Sequence, residues 1–378
     1  MIYLDNAATT FPKPQMVINS VNNCLKTFSA NPGRSGHKLS QKAAEEIFNC
    51  RRKVKGLFKA EGEENVIFTS NCTAAINMVL KGVLNPGDHV ICSSFEHNAV
   101  IRPLNALKKY GISYDIAHIF EDNIEGTIKA FEALIKHNTK MIICTHASNV
   151  NGIILPILEI GKLAKYYGLV FAVDAAQSSG ILDINMKEMN IDYLCVAAHK
   201  GLYAPMGTGI LIANKNIDKT IIEGGTGSLS NLDLQPDFLP DKFESGTVNL
   251  PGIIGISSGI DFINRQKIRN IYKKELNHII KIYNYLEKSD NVILYNQKPK
   301  LDCFAPVLSL NIKGKHSEEV GRELGDMGIA VRAGFHCAPL AHKSLGTSDI
   351  GTVRICPSVF TTENHIDSFI YKIKLLSK

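Results

Sequence analysis

The sequence lacks several features that would assign it to a specialised class of protein. It has no Cys-x-x-Cys pair and no Cys/His spacing typical of zinc sites, so we predict no metal site. No apolar run approaches the roughly 20 residues that span a bilayer. The first residues do not join a basic segment to an apolar one, so we expect neither a membrane association nor a secretory leader. No internal repeat or low-complexity tract occurs.

Charge is too weak and too scattered to indicate a nucleic-acid partner. The 378 residues carry 42 Lys and Arg against 36 Asp and Glu, a formal net charge of +6, and the basic residues do not cluster. Apolar residues make up 45% of the chain and charged residues 21%, as in ordinary globular proteins. The nine cysteines, an odd number, favour free and mostly buried thiols, and we therefore expect a cytoplasmic protein.

Short apolar runs alternate with helical patterns from residue 66 onward and predict an α/β fold with a mostly parallel, seven-stranded sheet. The runs are 66–69, 89–93, 113–117, 141–145, 170–173, 193–197 and 209–213. Helical patterns lie between most of them, at about 73–82, 97–109, 126–137 and 157–167. Continuous apolar strands joined by helices indicate a sheet covered on both faces. Ligands of such sheets bind beyond the carboxyl ends of the strands.

We predict two domains, because 378 residues exceed the usual size of one core. A large domain covers 15–250, and a smaller α+β domain combines the N-terminal arm, 1–14, with 251–378. Further helices are predicted at about 15–28, 39–58, 252–264, 267–288 and 363–376, with a loop at 31–36. Further strands are predicted at 291–295, 305–312 and 329–332.

Chemically suggestive residues follow several of the apolar runs. Cys72 and Thr73 begin a predicted helix, where hydroxyls and free N–H groups bind phosphate, although a plain helix cap would look the same. His97 could stack on a flat ring, but a histidine hydrogen-bonded within the fold is the more common explanation. Asp174 ends a buried run, where a carboxylate is more often metal-binding, charge-paired or catalytic than idle.

Lys200 adds a candidate reactive amine to these residues. Burial lowers the pKa of a lysine towards that of a reactive amine, which can form a Schiff base with a carbonyl. Taken alone, Lys200 is better explained as a side chain that turns into solvent after a strand. Together these residues match what pyridoxal 5′-phosphate (PLP) requires at one edge of a sheet: a site for its phosphate, a ring that stacks on it, a buried carboxylate and a buried lysine.

Motifs in order along nearly the whole chain resemble the class V aminotransferase family and, within it, the cysteine desulfurases. They run from 3–8 to beyond Arg354 and include 96–97, 148–150, 173–177, 199–200, 244–247 and 332–337. The resemblance implies fold type I of the PLP enzymes, a homodimer, and an active site at the subunit boundary.

The resemblance also implies roles for individual residues. The residues around the cofactor ring would be Lys200, which holds the aldehyde and moves protons, Asp174 at the pyridine nitrogen, Gln177 at the ring oxygen, and His97, which stacks on the ring and assists proton transfer as a further catalytic residue. The residues at the phosphate would be Cys72 through its backbone, Thr73 and His199, with Gly246 and Thr247 reaching the partner subunit's cofactor. Asn149 and Arg354 would bind the substrate carboxylate, which suits a bidentate guanidinium.

Cys337 lies in a segment, 331–340, that resembles the group II (SUF-type) desulfurases and the selenocysteine lyases, in which this cysteine receives the sulfur. A thiolate is the required nucleophile, and we expect His336 and Arg332 to lower the pKa of Cys337. The implied reaction converts L-cysteine to L-alanine and leaves a persulfide on Cys337, from which an acceptor thiol or protein takes the sulfur. No role is implied for Cys24, Cys50, Cys92, Cys144, Cys195, Cys303 or Cys356.

Several positions depart from the family pattern. Ala197 stands where related enzymes often have a phosphate-binding serine, and Phe335 replaces the first histidine of the usual His-His-Cys. The loop at 341–346 also differs, which leaves open a different sulfur acceptor or a preference for L-selenocysteine. The alternatives are therefore a selenocysteine lyase, another class V aminotransferase-family enzyme, or a binding protein without catalysis. A dinucleotide-binding protein is disfavoured because no Gly-x-Gly-x-x-Gly follows the first core strand.

Overall fold

The computed structural model describes residues 1–32 and 36–378, so residues 33–35 of the predicted loop at 31–36 lie outside the described residues. Within these ranges the chain forms thirteen strands and eleven α-helices. The strands are β1 Ile2–Tyr3, β2 Val66–Thr69, β3 His89–Ser93, β4 Ser113–Ala117, β5 Thr139–Thr145, β6 Val170–Asp174, β7 Tyr193–Ala197, β8 Gly209–Ala213, β9 Val292–Leu294, β10 Leu308–Ile312, β11 Ile329–Ala330, β12 Arg332–Gly334 and β13 Thr352–Ile355. The helices are α1 Gln15–Thr27, α2 Lys38–Phe58, α3 Cys72–Val83, α4 Asn98–Leu107, α5 Ile124–Glu132, α6 Ile157–Tyr166, α7 Leu250–Gln266, α8 Ile268–Leu286, α9 Ser317–Asp326, α10 Pro339–Ser344 and α11 Glu363–Leu376.

A seven-stranded sheet of order β2-β8-β7-β6-β5-β3-β4 forms the centre of the molecule. Strands β7, β6, β5, β3 and β4 are parallel, and β8 runs antiparallel to both β2 and β7. All seven predicted runs are strands of this sheet, so the predicted α/β fold is confirmed. The expectation that every run is covered on both faces is wrong for β4, because this edge strand exposes Ser113 and Ile116.

Side chains that alternate along the strands bury two apolar layers, one on each face of the sheet. On one face Phe171, Val173 and Leu194 belong to a core shared with α2, α6 and α7. On the other face Ala172 and Tyr193 belong to a core shared with α3 and α4. The two layers hold the carboxyl ends of β5, β6 and β7 in fixed relative positions.

A second sheet, of antiparallel strands in the order β12-β13-β10-β9, packs with α8, α9 and α11. The N-terminal arm reaches this part of the molecule, because β1 pairs in parallel with β11 and Asp5 forms a bridge with Cys356. Helix α7 packs instead against α1 and α2 and adds to the core of the central sheet. The predicted domain boundary at residue 251 stays a prediction, and this packing associates α7 with the larger core.

Two short elements near the C-terminus were not predicted from the sequence. Strand β13 has only four residues and carries an arginine, and α10 has only six, so neither shows a readable period. The predicted strand at 329–332 divides into β11 and β12. Among the described residues, no helix is both long enough and apolar enough to cross a bilayer.

Gly259 allows α7 to lie directly on the turn that follows Lys200. A Cβ atom at this position would lie 1.9 Å from the carbonyl oxygen of Leu202. We therefore expect Gly259→Ala to lower the free energy of unfolding by about 1–3 kcal/mol, as overpacking does. Gly56→Ala on α2 is the matched control, because nothing lies within 4 Å of its added Cβ, and it should stabilise the helix by about 0.5–1 kcal/mol. Urea unfolding followed by circular dichroism measures both, and a Gly259→Ala protein as stable as the parent would contradict the packing.

Candidate active site

A cavity of about 220 Å³ lies at the carboxyl end of the central sheet. It is bounded by the ends of β5, β6 and β7, by the first residues of α3 and by the N-terminal arm. Eight of the twelve predicted site residues line it: Cys72, Thr73, His97, Asn149, Asp174, Gln177, His199 and Lys200. In the described ranges, no group of three or more His, Cys, Asp and Glu side chains is arranged to hold a metal ion.

Asp174 and Lys200 lie on neighbouring strands and face the same cavity. Asp174 ends β6 opposite Cys195 of β7, and its carboxylate is buried and accepts a hydrogen bond from the Ala176 amide at 2.9 Å. Lys200 follows β7, where burial lowers its pKa and the nearby Arg354 lowers it further, while Asp174 opposes the shift. A lysine in these surroundings is a candidate amine nucleophile and base at neutral pH.

The thiol of Cys72 takes part in the site in a way that the sequence did not indicate. Its Sγ donates to Oδ1 of Asp174 at 3.4 Å, and burial together with the Asp174 charge raises the pKa of Cys72 well above its usual value. Asn71 caps α3 by accepting from the Ala74 amide at 2.8 Å. The backbone N–H groups of Cys72 and Thr73, in the first turn of α3, have no acceptor within the helix and are available to an anion.

The histidines of the cavity are held as neutral rings. His97 caps α4, since its Nδ1 accepts from the Ala99 amide at 3.0 Å, and burial lowers the pKa of His97. His199 lies 3.1 Å from the Thr9 hydroxyl, and burial, with the Lys200 charge, lowers the pKa of His199 to about 4. Both rings can therefore stack or hydrogen-bond, but neither carries a positive charge at neutral pH.

Arg354 lies behind Asn149 rather than in the wall of the cavity. Its guanidinium is 1% exposed, and it donates to Oδ1 of Asp5 at 2.7 Å and to the Asn149 carbonyl at 3.0 Å. The Asn149 side chain in turn donates to the carbonyl of His336 at 2.7 Å. The Nε–H group of Arg354 has no partner among the described residues, so one buried donor is free for an anion.

Cys337 is exposed and lies in a turn that is tied to the rim of the cavity. Its carbonyl accepts from the amide of Asn98 at 2.8 Å, directly after His97. Arg332 approaches the thiol, with 3.9 Å between Nη2 and Sγ. His336 and Cys337 both have positive φ, 51° and 56°, so the chain turns sharply here, with the His336 side chain buried and Cys337 exposed.

The expectation that His336 helps to lower the pKa of the Cys337 thiol is wrong. The His336 ring is buried and stacks on His342 with 5.6 Å between ring centroids. Burial, reinforced by the Arg354 charge, lowers the pKa of His336 to about 2. A neutral ring provides no positive charge for a thiolate, so Arg332 is the cation that remains near Cys337.

The structure does not bring Gly246 and Thr247 to the cavity of their own chain. Both are exposed and line a separate surface cavity of about 350 Å³. Their segment is anchored by Glu244, which pairs with Arg51 and accepts from the Phe68 amide at 2.7 Å. That Gly246 and Thr247 bind the cofactor phosphate of a partner subunit remains a prediction.

The two departures from the family pattern also have a place in the structure. Ala197 lines the cavity and offers no hydroxyl there. Phe335 is 44% exposed, and the edge of its ring meets His342.

Comparison with known proteins gives one consistent result. The family model described as "Aminotransferase class-V" matches residues 2–369. A "Probable cysteine desulfurase" of Methanothermobacter thermautotrophicus is 31% identical over 373 residues, which cover 97% of this chain and 92% of that protein. A second "Probable cysteine desulfurase", from Pyrococcus abyssi, is 32% identical over 394 residues, which cover 100% of this chain and 94% of that protein. The apo structure of a cysteine desulfurase from Thermococcus onnurineus superposes with a TM-score of 0.91 at 29% identity, over 100% of this chain and 94% of that one.

The ion pair of Asp5 with Arg354 joins the N-terminal arm to β13 beneath the cavity. Arg354 is almost fully buried, and the removal of one partner from a buried pair costs about 3–5 kcal/mol. Since the Asn149 carbonyl still accepts from Arg354, we expect Asp5→Ala to lose about 3 kcal/mol of unfolding free energy. Asp5→Asn keeps an acceptor oxygen and should lose less. Urea denaturation measures both, and equal midpoints for Asp5→Ala and the parent would show that this pair does not hold the arm.

Proposed function

The chain belongs to the aminotransferase class-V family, and we propose that it is a PLP-dependent cysteine desulfurase, which converts L-cysteine to L-alanine and retains the sulfur on Cys337 as a persulfide. The observation that carries the proposal is that Lys200, whose pKa is lowered, and the buried Asp174 line the same cavity. The Cys337 turn at the rim of that cavity favours the desulfurase among the enzymes of the family.

The groups that line the cavity fit PLP. Asp174 offers a buried carboxylate for a protonated pyridine nitrogen, and the start of α3 offers free N–H groups at Cys72 and Thr73 for a phosphate. Gln177 would bind the ring oxygen and His199 the phosphate, while Ala197 contributes no donor. When bound, PLP supplies an electron sink that stabilises negative charge at Cα of an amino acid.

The residues of the chain then have separate tasks. Lys200, as the neutral amine, removes the proton from Cα of the substrate and later returns one. Asp174 would keep a proton on the pyridine nitrogen, and the neutral His97 ring would hold the cofactor ring by stacking. Asn149, in the wall of the cavity, would bind the substrate carboxylate, and the positive charge of Arg354 behind it would attract the same group and so help to fix its orientation.

Cys337 performs the sulfur transfer. Its thiolate attacks the sulfur of L-cysteine, so that an S–S bond forms, the Cβ–S bond breaks and Cβ takes up a proton. The products are L-alanine and a persulfide on Cys337. Arg332 stabilises the thiolate by its positive charge. A second thiol, small or on an acceptor protein, then takes the terminal sulfur.

We also infer a homodimer from the surface around Gly246 and Thr247. The neighbouring segment exposes several large apolar side chains, which on a soluble surface usually mark an interface: Ile222, Leu229, Leu232, Leu234 and Phe238. Gly246 and Thr247 lie beside them and would reach the cofactor phosphate of the partner subunit. A cytoplasmic location also stays a prediction, and it is supported by the nine unpaired cysteines, seven of them buried.

Cys337→Ala tests the sulfur-transfer role. We expect it to keep the visible absorption of bound PLP but to lower alanine formation from L-cysteine at least about 100-fold, because the nucleophile is lost. Cys303→Ala is the control, as Cys303 is the other exposed cysteine, and it should retain full activity. Lys200→Ala should lose the Schiff-base absorption itself.

Sustained alanine release by Cys337→Ala would overturn the role of this thiol. A parent protein that binds PLP but releases no alanine would move the assignment to another class V substrate. The ratio of kcat/KM for L-selenocysteine and L-cysteine, measured on the same preparation, decides between a desulfurase and a selenocysteine lyase.

Hybrid dimers test the partner contribution of Thr247. Lys200→Ala and Thr247→Glu should each be nearly inactive alone, the second because a carboxylate would repel the phosphate. If Thr247 serves the partner's site, one of the two sites in a hybrid dimer is intact. Random mixing after joint refolding or co-expression should then restore roughly a quarter of the parent activity. Hybrids that stay inactive would place Thr247 in the site of its own chain.

A further inference from the structure

A second, smaller cavity of about 30 Å³ adjoins the cavity of about 220 Å³ and shares Lys200 with it. Ala176, Gln177 and Lys200 line both cavities, so the two cavities share a wall. The small cavity is otherwise lined by Thr10 of the N-terminal arm, by Tyr203, and by Glu275 of α8. Its volume is sufficient for one or two water molecules, since about 10–15 Å³ of this measure accommodates one.

One buried polar side chain in this small cavity lacks a hydrogen-bond partner. Tyr203 is 1% exposed, and its hydroxyl has no hydrogen-bond partner among the described residues. Buried hydroxyls are almost always hydrogen-bonded, and ordered water supplies the bond where protein does not. The Tyr203 amide donates to the Lys200 carbonyl at 2.9 Å, so this orphaned hydroxyl belongs to the same turn as Lys200.

Glu275 is a buried carboxyl group that the proposed reaction has not used. It is 3% exposed, and burial raises the pKa of Glu275 to about 8, although a backbone hydrogen bond from Val359 and the charge of Lys274 oppose the shift. Tyr203 and Cys356 are the other titratable groups that sense its charge, and Lys200 lines the same cavity. Glu275 is therefore protonated at neutral pH and titrates close to it.

We propose that water in the small cavity links Glu275 to Lys200, and that Glu275 exchanges with Lys200 the proton that this lysine moves during turnover. The inference rests on the proposed function, because Lys200 must act as a base. In one direction the O–H bond of Glu275 breaks, water passes a proton on, and an N–H bond forms at Nζ of Lys200. When Lys200 releases its extra proton, the same steps run in reverse, and no electrons are transferred.

Isotope retention in the product tests this relay. L-Cysteine deuterated at Cα is converted by the PLP-loaded protein in ordinary water, and the deuterium at Cα of the alanine is measured. The parent should retain little, because Lys200 exchanges its proton through the small cavity. Glu275→Gln should retain several times more and should turn over about tenfold more slowly at unchanged KM. The control Glu287→Gln, at the end of the same helix, should behave as the parent.

A merely structural role of Glu275 would not raise the retained deuterium. Glu275→Asp keeps a carboxyl group and should restore low retention, which also covers the case in which Glu275→Gln fails to fold. Infrared spectra of the protein without PLP give a second measurement. Burial also raises the pKa of Glu96 to about 8, so two protonated carboxyls should absorb at pH 7. Glu275→Gln should lose one of the two C=O bands, and Glu287→Gln should lose neither.

The outcomes separate this inference from the proposed function. Equal retention in the parent and in Glu275→Gln, with alanine formed by both, would overturn the relay alone. A PLP-loaded parent that forms no alanine would overturn the proposed function, and the relay with it. Higher retention in Glu275→Gln than in Glu287→Gln supports the relay.

Discussion

The removal of Lys200 from bulk water is the constraint on which the rest of the site depends. A charged lysine in an enclosed cavity loses hydration, and Arg354 and Arg332 add repulsion, so that only Asp174 and Cys72 favour its charge. The outcome is an amine that gives up its proton more easily than an exposed lysine. This requires that β6 and β7 end side by side, which their parallel pairing from Ala172 and Tyr193 onward secures.

Both ends of the chain enclose this lysine. The N-terminal arm donates from the Thr10 hydroxyl to the Lys200 carbonyl at 2.7 Å and from Lys13 to the His199 carbonyl at 2.6 Å. Burial there lowers the pKa of Lys13 to about 8. From the other end, Arg354 of β13 is held by Asp5 of the same arm. The site therefore forms only when segments separated by more than 300 residues come together, and contacts of such long range are made late and cooperatively in folding.

Much of this arrangement could be predicted from local patterns. The seven runs of the central sheet have a strong apolar signal, and each predicted cavity residue from β5, β6 and β7 follows such a run, because parallel strands present their carboxyl ends at one edge. Arg354 was predicted from its motif, whereas its strand was not, since four residues with a central arginine show no alternation. The effect of His336 on the Cys337 thiol was wrongly anticipated, because the burial that keeps the His336 ring neutral comes from residues distant in the chain.

The sequence by itself therefore determined the fold class, the order of the strands along the chain and the identity of the residues at their ends, since periodicity and residue type act over short distances. The tertiary structure decided which of these groups are charged and which are paired. Burial makes His336 neutral, and the fold brings the Cys72 thiol into a hydrogen bond with Asp174 and places Glu275 in the wall of a water-sized cavity that Lys200 also lines. Desolvation depends on everything that surrounds a group in space, and most of those neighbours are distant in the chain.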